Sequence, residues 1–101
     1  MTVDTTEVVN MIRKGDKIGV LVYLHNGGDP NARNHMGWTL LHLACMEGQT
    51  SVVEVLLDSG ASANSCTTDM STPLHRACLH GYKTIAELLI KKNAYINAQV
   101  R

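Results

Sequence analysis

Ten residues of this chain, Thr39-Leu40-Leu41-His42-Leu43-Ala44-Cys45-Met46-Glu47-Gly48, return 33 residues later as Thr72-Pro73-Leu74-His75-Arg76-Ala77-Cys78-Leu79-His80-Gly81. A phrase repeated at a fixed offset of this size marks a repeat architecture, in which one supersecondary unit buries its apolar face against its neighbours. The match runs past the phrase. Glu54, Leu56, Ala61 and Asn64 recur as Glu87, Leu89, Ala94 and Asn97, and Val52, Val55 and Leu57 return as Ile85, Leu88 and Ile90.

Each position in the phrase has a physical reason. The Thr72 hydroxyl can accept from an unpaired backbone N–H at a helix start. Pro73 then falls at the first helical position, where its fixed φ fits. Leu74, Ala77 and Cys78 follow at i, i+3 and i+4 and make one apolar face, and Gly81 suits a left-handed helix end. From Thr84 a second pattern, Ile85, Ala86, Leu88, Leu89 and Ile90, predicts another helix. It is expected to stop at Lys91-Lys92-Asn93, since basic side chains favour a helix C-terminus and Asn tolerates the left-handed cap. A turn-rich connection, residues 94–98, completes the unit.

This order of residues resembles the ankyrin repeat, whose pattern is G-x-T-P-L-H-x-A-x-x-x-G, an apolar helix, then L-L-x-x-G-A-x-x-N. The resemblance implies an all-α solenoid of stacked helix-turn-helix units with short β-hairpin-like fingers. Residues 1–101 then form a single domain: 1–33 an amino-terminal cap repeat, 34–66 and 67–99 the second and third repeats, and 100–101 the start of a further unit or a tail. In the first unit Thr6 and Gly15 keep the frame of Thr39 and Gly48. Val8, Met11 and Ile12 line a helix from Glu7 to Lys14. Asp16 can cap a second, Lys17 to His25, with Val20, Leu21 and Leu24 inward. Terminal units are commonly atypical because one face meets water, which accounts for Glu7-Val8-Val9 replacing Pro-Leu-His. Gly19, Val20 and Val22 are weak helix formers, so that helix depends on packing. Gly37 supplies a positive φ for the finger turn. Met70 occupies the same place in the next finger; either that turn takes another conformation, the preferred reading, or Met70 bears strain. Either residues 67–99 are the closing cap or the chain is a fragment of a longer array; Ile85, Leu88 and Ile90 give this unit little polar outer face, which makes the fragment the preferred reading.

Composition narrows the function. The formal net charge is zero, without the basic excess of a nucleic-acid footprint. With no Phe, one Trp and three Tyr, the core rests on small aliphatic side chains, which suits thin helix pairs. The sequence has no long apolar run or secretory segment, so neither membrane spanning nor export is indicated. Three cysteines, with Cys45 and Cys78 in equivalent, buried-looking positions, point to reduced thiols in an intracellular protein, cytoplasmic or nuclear. Asp69 and His80 could be drawn beside Cys66 or Ser71, but no nucleophile elbow, phosphate loop or paired carboxylate supports catalysis. No enzyme is expected. His42-x-x-Cys45 and His75-x-x-Cys78 make a formal zinc set. The resemblance instead implies a structural histidine bonded to loop backbone and a small residue packed between helices, so neither metal nor cofactor is expected.

The resemblance also implies binding through a concave face of finger tips and first-helix edges. Carried across position by position, that face comprises Arg13, Lys14 and Arg33, then His35, Met36, Trp38, Met46 and Glu47, then Thr68, Asp69, Ser71, Leu79 and His80. The scaffold requires no large apolar side chain there, yet Trp38 sits among Met36, Met46 and Leu79. Trp anchors interfaces and Met adapts to irregular partners. Arg13, Lys14 and Arg33 form a basic end able to meet acidic residues at a rim. The alternative for Trp38 is packing on the neighbouring finger. The expected function is a monomeric, non-catalytic protein–protein interaction module for another protein or peptide; the alternative is a structural spacer within a longer array. Asn31, Asn64 and Asn97 recur after each second helix, where an amide side chain can hold backbone. Asn64 and Asn97 are also similar to asparagines that an asparaginyl hydroxylase modifies in some ankyrin proteins. Leu56 and Leu89 lie eight residues upstream of them, but the usual preceding acidic residue is missing.

Overall fold

The computed structural model describes residues 5–100, with side chains through residue 92. Among these residues there are helices α1 (Thr5–Lys14), α2 (Lys17–His25), α3 (Leu40–Glu47), α4 (Thr50–Asp58), α5 (Pro73–Leu79) and α6 (Lys83–Val100). They come in three pairs, α1 with α2, α3 with α4 and α5 with α6. The first helices stack α1 on α3 on α5, and the second helices α2 on α4 on α6.

The threonine of the repeated phrase caps its helix in both copies. Thr39 Oγ1 accepts from His42 N at 3.2 Å, and Thr72 Oγ1 accepts from His75 N at 3.3 Å. Asp16 caps α2 by accepting from Gly19 N at 2.9 Å. One core runs through the stack: Val8, Ile12 and Val20 from the first pair, Leu41, Ala44, Val52 and Leu56 from the second, Ala77, Ile85 and Leu89 from the third. The middle pair is covered on both sides, which is why Leu40, Leu41, His42, Ala44 and Cys45 are all buried in α3.

Three expectations about the helices meet a different outcome. Val20 is buried and Leu24 partly so, but Leu21 is 40% exposed and Tyr23 takes the inward place. Tyr23 lies one turn beyond Val20, whereas Leu21 shares the outward side with Ile18 and Val22. The Tyr23 hydroxyl also donates to Asp29 O at 2.9 Å, so the ring carries its polar end to a partner. Second, Cys78 is exposed where Cys45 is buried. Only the middle helix has a packed neighbour on each side among the described residues.

Third, α6 does not stop at Asn93 but continues to Val100, so the expected turn at residues 94–98 is helical. In the earlier units the second helix ends at a glycine in the left-handed region, Gly27 at φ 91° and Gly60 at φ 96°. Ala61 N there bonds back to Leu56 O at 2.9 Å. Asn93 stands in frame with those glycines, and a residue with a Cβ stops a helix less readily than Gly does.

The fingers between pairs are hairpin-like, as expected. Asn34 N donates to Trp38 O at 2.8 Å in the first, and Thr67 N donates to Ser71 O at 3.0 Å in the second. An isolated antiparallel bridge joins Arg33 and Thr39. Gly37 takes φ 83° at the first tip and Met70 takes φ 67° at the equivalent place. The second turn therefore keeps the glycine conformation, against the preferred reading of another turn type, and Met70 bears the strain.

Candidate functional site

The two fingers and the stacked first helices are locked by bonds that cross between units. His42 is buried. Its Nδ1 lies 2.8 Å from the Thr39 hydroxyl and 3.4 Å from Thr39 N, while Nε2 lies 2.7 Å from Ser71 O in the next finger. A carbonyl can only accept, so Nε2 carries the proton and Nδ1 accepts. Burial pushes the His42 pKa below its usual 6.5, with the Ser71 carbonyl acting in the opposite sense and Arg33 and Arg76 adding to the depression. Burial also drives the Cys45 thiol up to about 12. With both ring nitrogens committed, His42 is a structural tie between the second unit and the finger of the third.

Trp38 is half-buried at the base of the first finger. The Arg76 guanidinium lies 4.3 Å from its ring centroid, and the His42 ring meets it edge-on at 5.8 Å. Arg76 is in turn held by Nε donating to Ser71 Oγ at 3.1 Å and by Asp69 at 4.0 Å. Asp69 accepts from the Thr67 hydroxyl, which with Ser71 backbone and Arg76 holds its carboxyl below the ordinary range. Among the residues expected on the concave face, Trp38, Asp69 and Ser71 thus form one cluster around Arg76. Arg76 was not legible as part of it: its equivalents are Asn10 and Leu43, and only the offset between stacked units brings it over Trp38.

A second group gathers at the amino-terminal end. Arg13, Arg33 and His35 line a cleft of about 460 Å³ together with Thr5, Thr6, Val9, Asn10 and Asn34. Arg33 Nη1 donates to Gly37 O at 2.7 Å and to Cys66 O at 3.0 Å, which fixes the guanidinium at the finger wall. Lys14 is exposed but does not line this cleft.

The remaining positions are separate. Met36 is 63% exposed at the first finger tip and Leu79 is 72% exposed at the end of α5. His80 stacks on Tyr82 with centroids 5.6 Å apart. Glu47 and Thr68 are exposed, while Met46 is half-buried. Met70, 72% exposed, was singled out for its turn and not for this face. Asn31 holds the following unit through Oδ1, which accepts from Ser62 N at 2.8 Å, and through Nδ2, which donates to Gly60 O at 3.4 Å. Asn64 is exposed, and the side chain of Asn97 lies outside the described residues.

A family model described as "Ankyrin repeats (3 copies)" matches residues 9–100. The chain belongs to the ankyrin-repeat family. Ankyrin repeats generally mediate protein–protein interaction and are generally non-catalytic. The 2-5A-dependent ribonuclease of Mus musculus is 37% identical over 59 residues, covering 57% of this chain and 8% of that protein. Regulatory protein NPR3 of Arabidopsis thaliana is 45% identical over 42 residues, 42% of this chain and 7% of its own length. Scaffold protein ILK of Homo sapiens is 37% identical over 59 residues, 57% of this chain and 13% of its own. The chain therefore matches a small fraction of each relative's length. Among the described residues no helix is long and apolar enough to cross a membrane.

Proposed function

We propose that this ankyrin domain is a non-catalytic docking module that binds another protein or peptide along the face made by its finger tips and the edges of α1, α3 and α5. One observation carries this reading. Met36, Met70 and Leu79 are 63%, 72% and 72% exposed on those elements, where packing asks for no large apolar side chain. Exposed apolar side chains that the core does not need are points where a partner can bury area, and the flexible thioether suits an uneven partner. Trp38 lies in the same finger as Met36, half-buried, with Arg76 over its indole ring. Arg13, Lys14, Arg33, His35, Met46, Glu47, Thr68, Asp69 and His80 make the rim, with Ser71 bracing the finger that carries Met70.

A pulldown from lysate with wild type, Met36→Asp, Leu79→Asp and Trp38→Ala, each with its thermal melt, tests this. A partner kept by wild type and lost by the two aspartate variants, whose melts stay within about 2 °C because both sites are exposed, supports the reading. If all variants keep the same partner, the face is not the docking surface. Trp38→Ala is expected to lower both binding and the melt, because its indole belongs to the Arg76 cluster.

A spacer role within a longer array is the second reading, favoured by Leu74, His75, Cys78 and Ile90. They lie more open than Leu41, His42, Cys45 and Leu57, to which they are equivalent. On that reading, a chain extended by one more unit melts well above this one.

A further inference from the structure

The inner face changes chemistry along the stack. Position by position, Arg13 of α1 is followed by Met46 of α3 and Leu79 of α5; Arg33 before the first finger is followed by Cys66, and His35 by Thr68. The two arginines thus belong to the first unit alone, and the repeat scaffold does not call for them. They converge on the cleft of about 460 Å³ between α1 and the first finger, whose lining among the described residues includes no carboxylate. Arg13 has no hydrogen-bond or ion-pair partner for its guanidinium among the described residues, and the His35 ring has none either. Arg33 commits only Nη1, to two backbone carbonyls, leaving Nε and Nη2 available. A guanidinium immobilised by carbonyls and still holding spare donors is suited to receive a carboxylate, because the fork matches two oxygens and less rotamer freedom remains to be lost. Val9 gives the cleft a partly buried apolar side, and Asn10 and Asn34 supply neutral polar groups.

We propose that this cleft seats the carboxylate side chains of an acidic peptide segment in the protein partner, with an apolar residue of the same segment lying against Met36. The inference rests on the docking role proposed above and adds the chemistry and direction of the ligand. The acidic part lies over the first unit and the apolar part over the later ones. Tetraglutamate, capped at both ends, is the probe, with capped tetralysine and inorganic phosphate as comparisons, titrated into isotopically labelled protein at low salt.

The expected result is saturable movement of the amide signals of Val9, Asn10, Arg13 and His35 with tetraglutamate and none with tetralysine. Arg13→Gln weakens that binding at least about fivefold, while Lys17→Gln, exposed at the start of α2 outside the cleft and the docking face, changes it less than about twofold. Equal losses in both variants would mean diffuse attraction to a basic end and would overturn the proposal. Movements confined to lysines outside the cleft, or phosphate acting at lower concentration than the peptide, would overturn it as well. The docking role is judged separately. If Arg13→Gln keeps a partner that Met36→Asp and Leu79→Asp release, the acidic seat is wrong and the docking face stands. If the cleft binds tetraglutamate while those aspartate variants release nothing, the seat stands and the apolar face is wrong.

Discussion

A methionine with a left-handed backbone is an uncommon residue, and Met70 holds that conformation at φ 67° where the neighbouring finger has Gly37. The conformation costs an L-residue roughly 1–2 kcal/mol. Replacing it with glycine removes the clash but gives the unfolded chain more freedom, worth about 0.5–1 kcal/mol in the other direction. Met70→Gly is therefore expected to stabilise by about 0.5–1 kcal/mol and raise Tm by a few degrees; a melt that falls would show the turn is unstrained. Because Met70 is exposed on the proposed docking face, the same variant is expected to bind its partner less well. His42 gives the second residue-scale expectation. Its pKa is lowered in the fold, so the unfolded chain takes up the proton first as pH falls. The tie is fully present above about 6.5 and is lost as pH drops through the folded value. Melts at pH 7.5 and pH 5 should differ in wild type and differ less in His42→Gln; equal slopes would show that other groups set the acid sensitivity.

At the scale of elements, the sequence is most legible where one local device decides the outcome. Thr39 and Thr72 cap their helices, Asp16 caps α2, and Gly48 at φ 69° ends α3. Each is a short-range bond or a backbone preference that the residue carries with it. Legibility fails at Asn93, where the same position holds Gly27 and Gly60 in the earlier units. There the sequence offers both a stop and a run of residues able to continue a helix, and the pattern alone does not weigh them. Asn93→Gly is expected to restore the stop. The amide shifts of residues 94–98 should leave the helical range and the far-ultraviolet helix signal should fall. Unchanged helicity would mean that the residues beyond, and not the cap, hold α6 together. The candidate site divides the same way. The exposed tip Met36 follows from its place in the repeat. The cover of Arg76 over Trp38 does not, because it depends on how far one unit is displaced from the next.

Across the whole molecule, burial is greatest in the middle. Leu56 is fully buried, while Ile90 at the edge of the third unit is 55% exposed. Leu56→Ala should cost about 3 kcal/mol and lower the melt of the entire chain, whereas Ile90→Ala should cost well under about 1 kcal/mol. Hydrogen exchange is expected to be slowest in α3, which packs on α1, α4 and α5; faster exchange there than in α1 or α5 would contradict a stack held from its centre. The polar bonds that cross between units share one property. His42 reaches Ser71 O, Arg33 reaches Cys66 O, Gln49 reaches Arg13 O, and Asn31 reaches Ser62 N and Gly60 O. In each, a side chain on one side meets a peptide group on the other; among the described residues the Lys92–Asp58 pair and the backbone bond from Leu40 N to Ala32 O cross without that pattern. Peptide groups are common to every sequence, so the receiving unit can drift in composition without losing these bonds. An in-frame duplication of residues 34–66 would carry two of these side chains, His42 and Gln49, with it. Such a chain can lengthen by copying before any new surface has been selected.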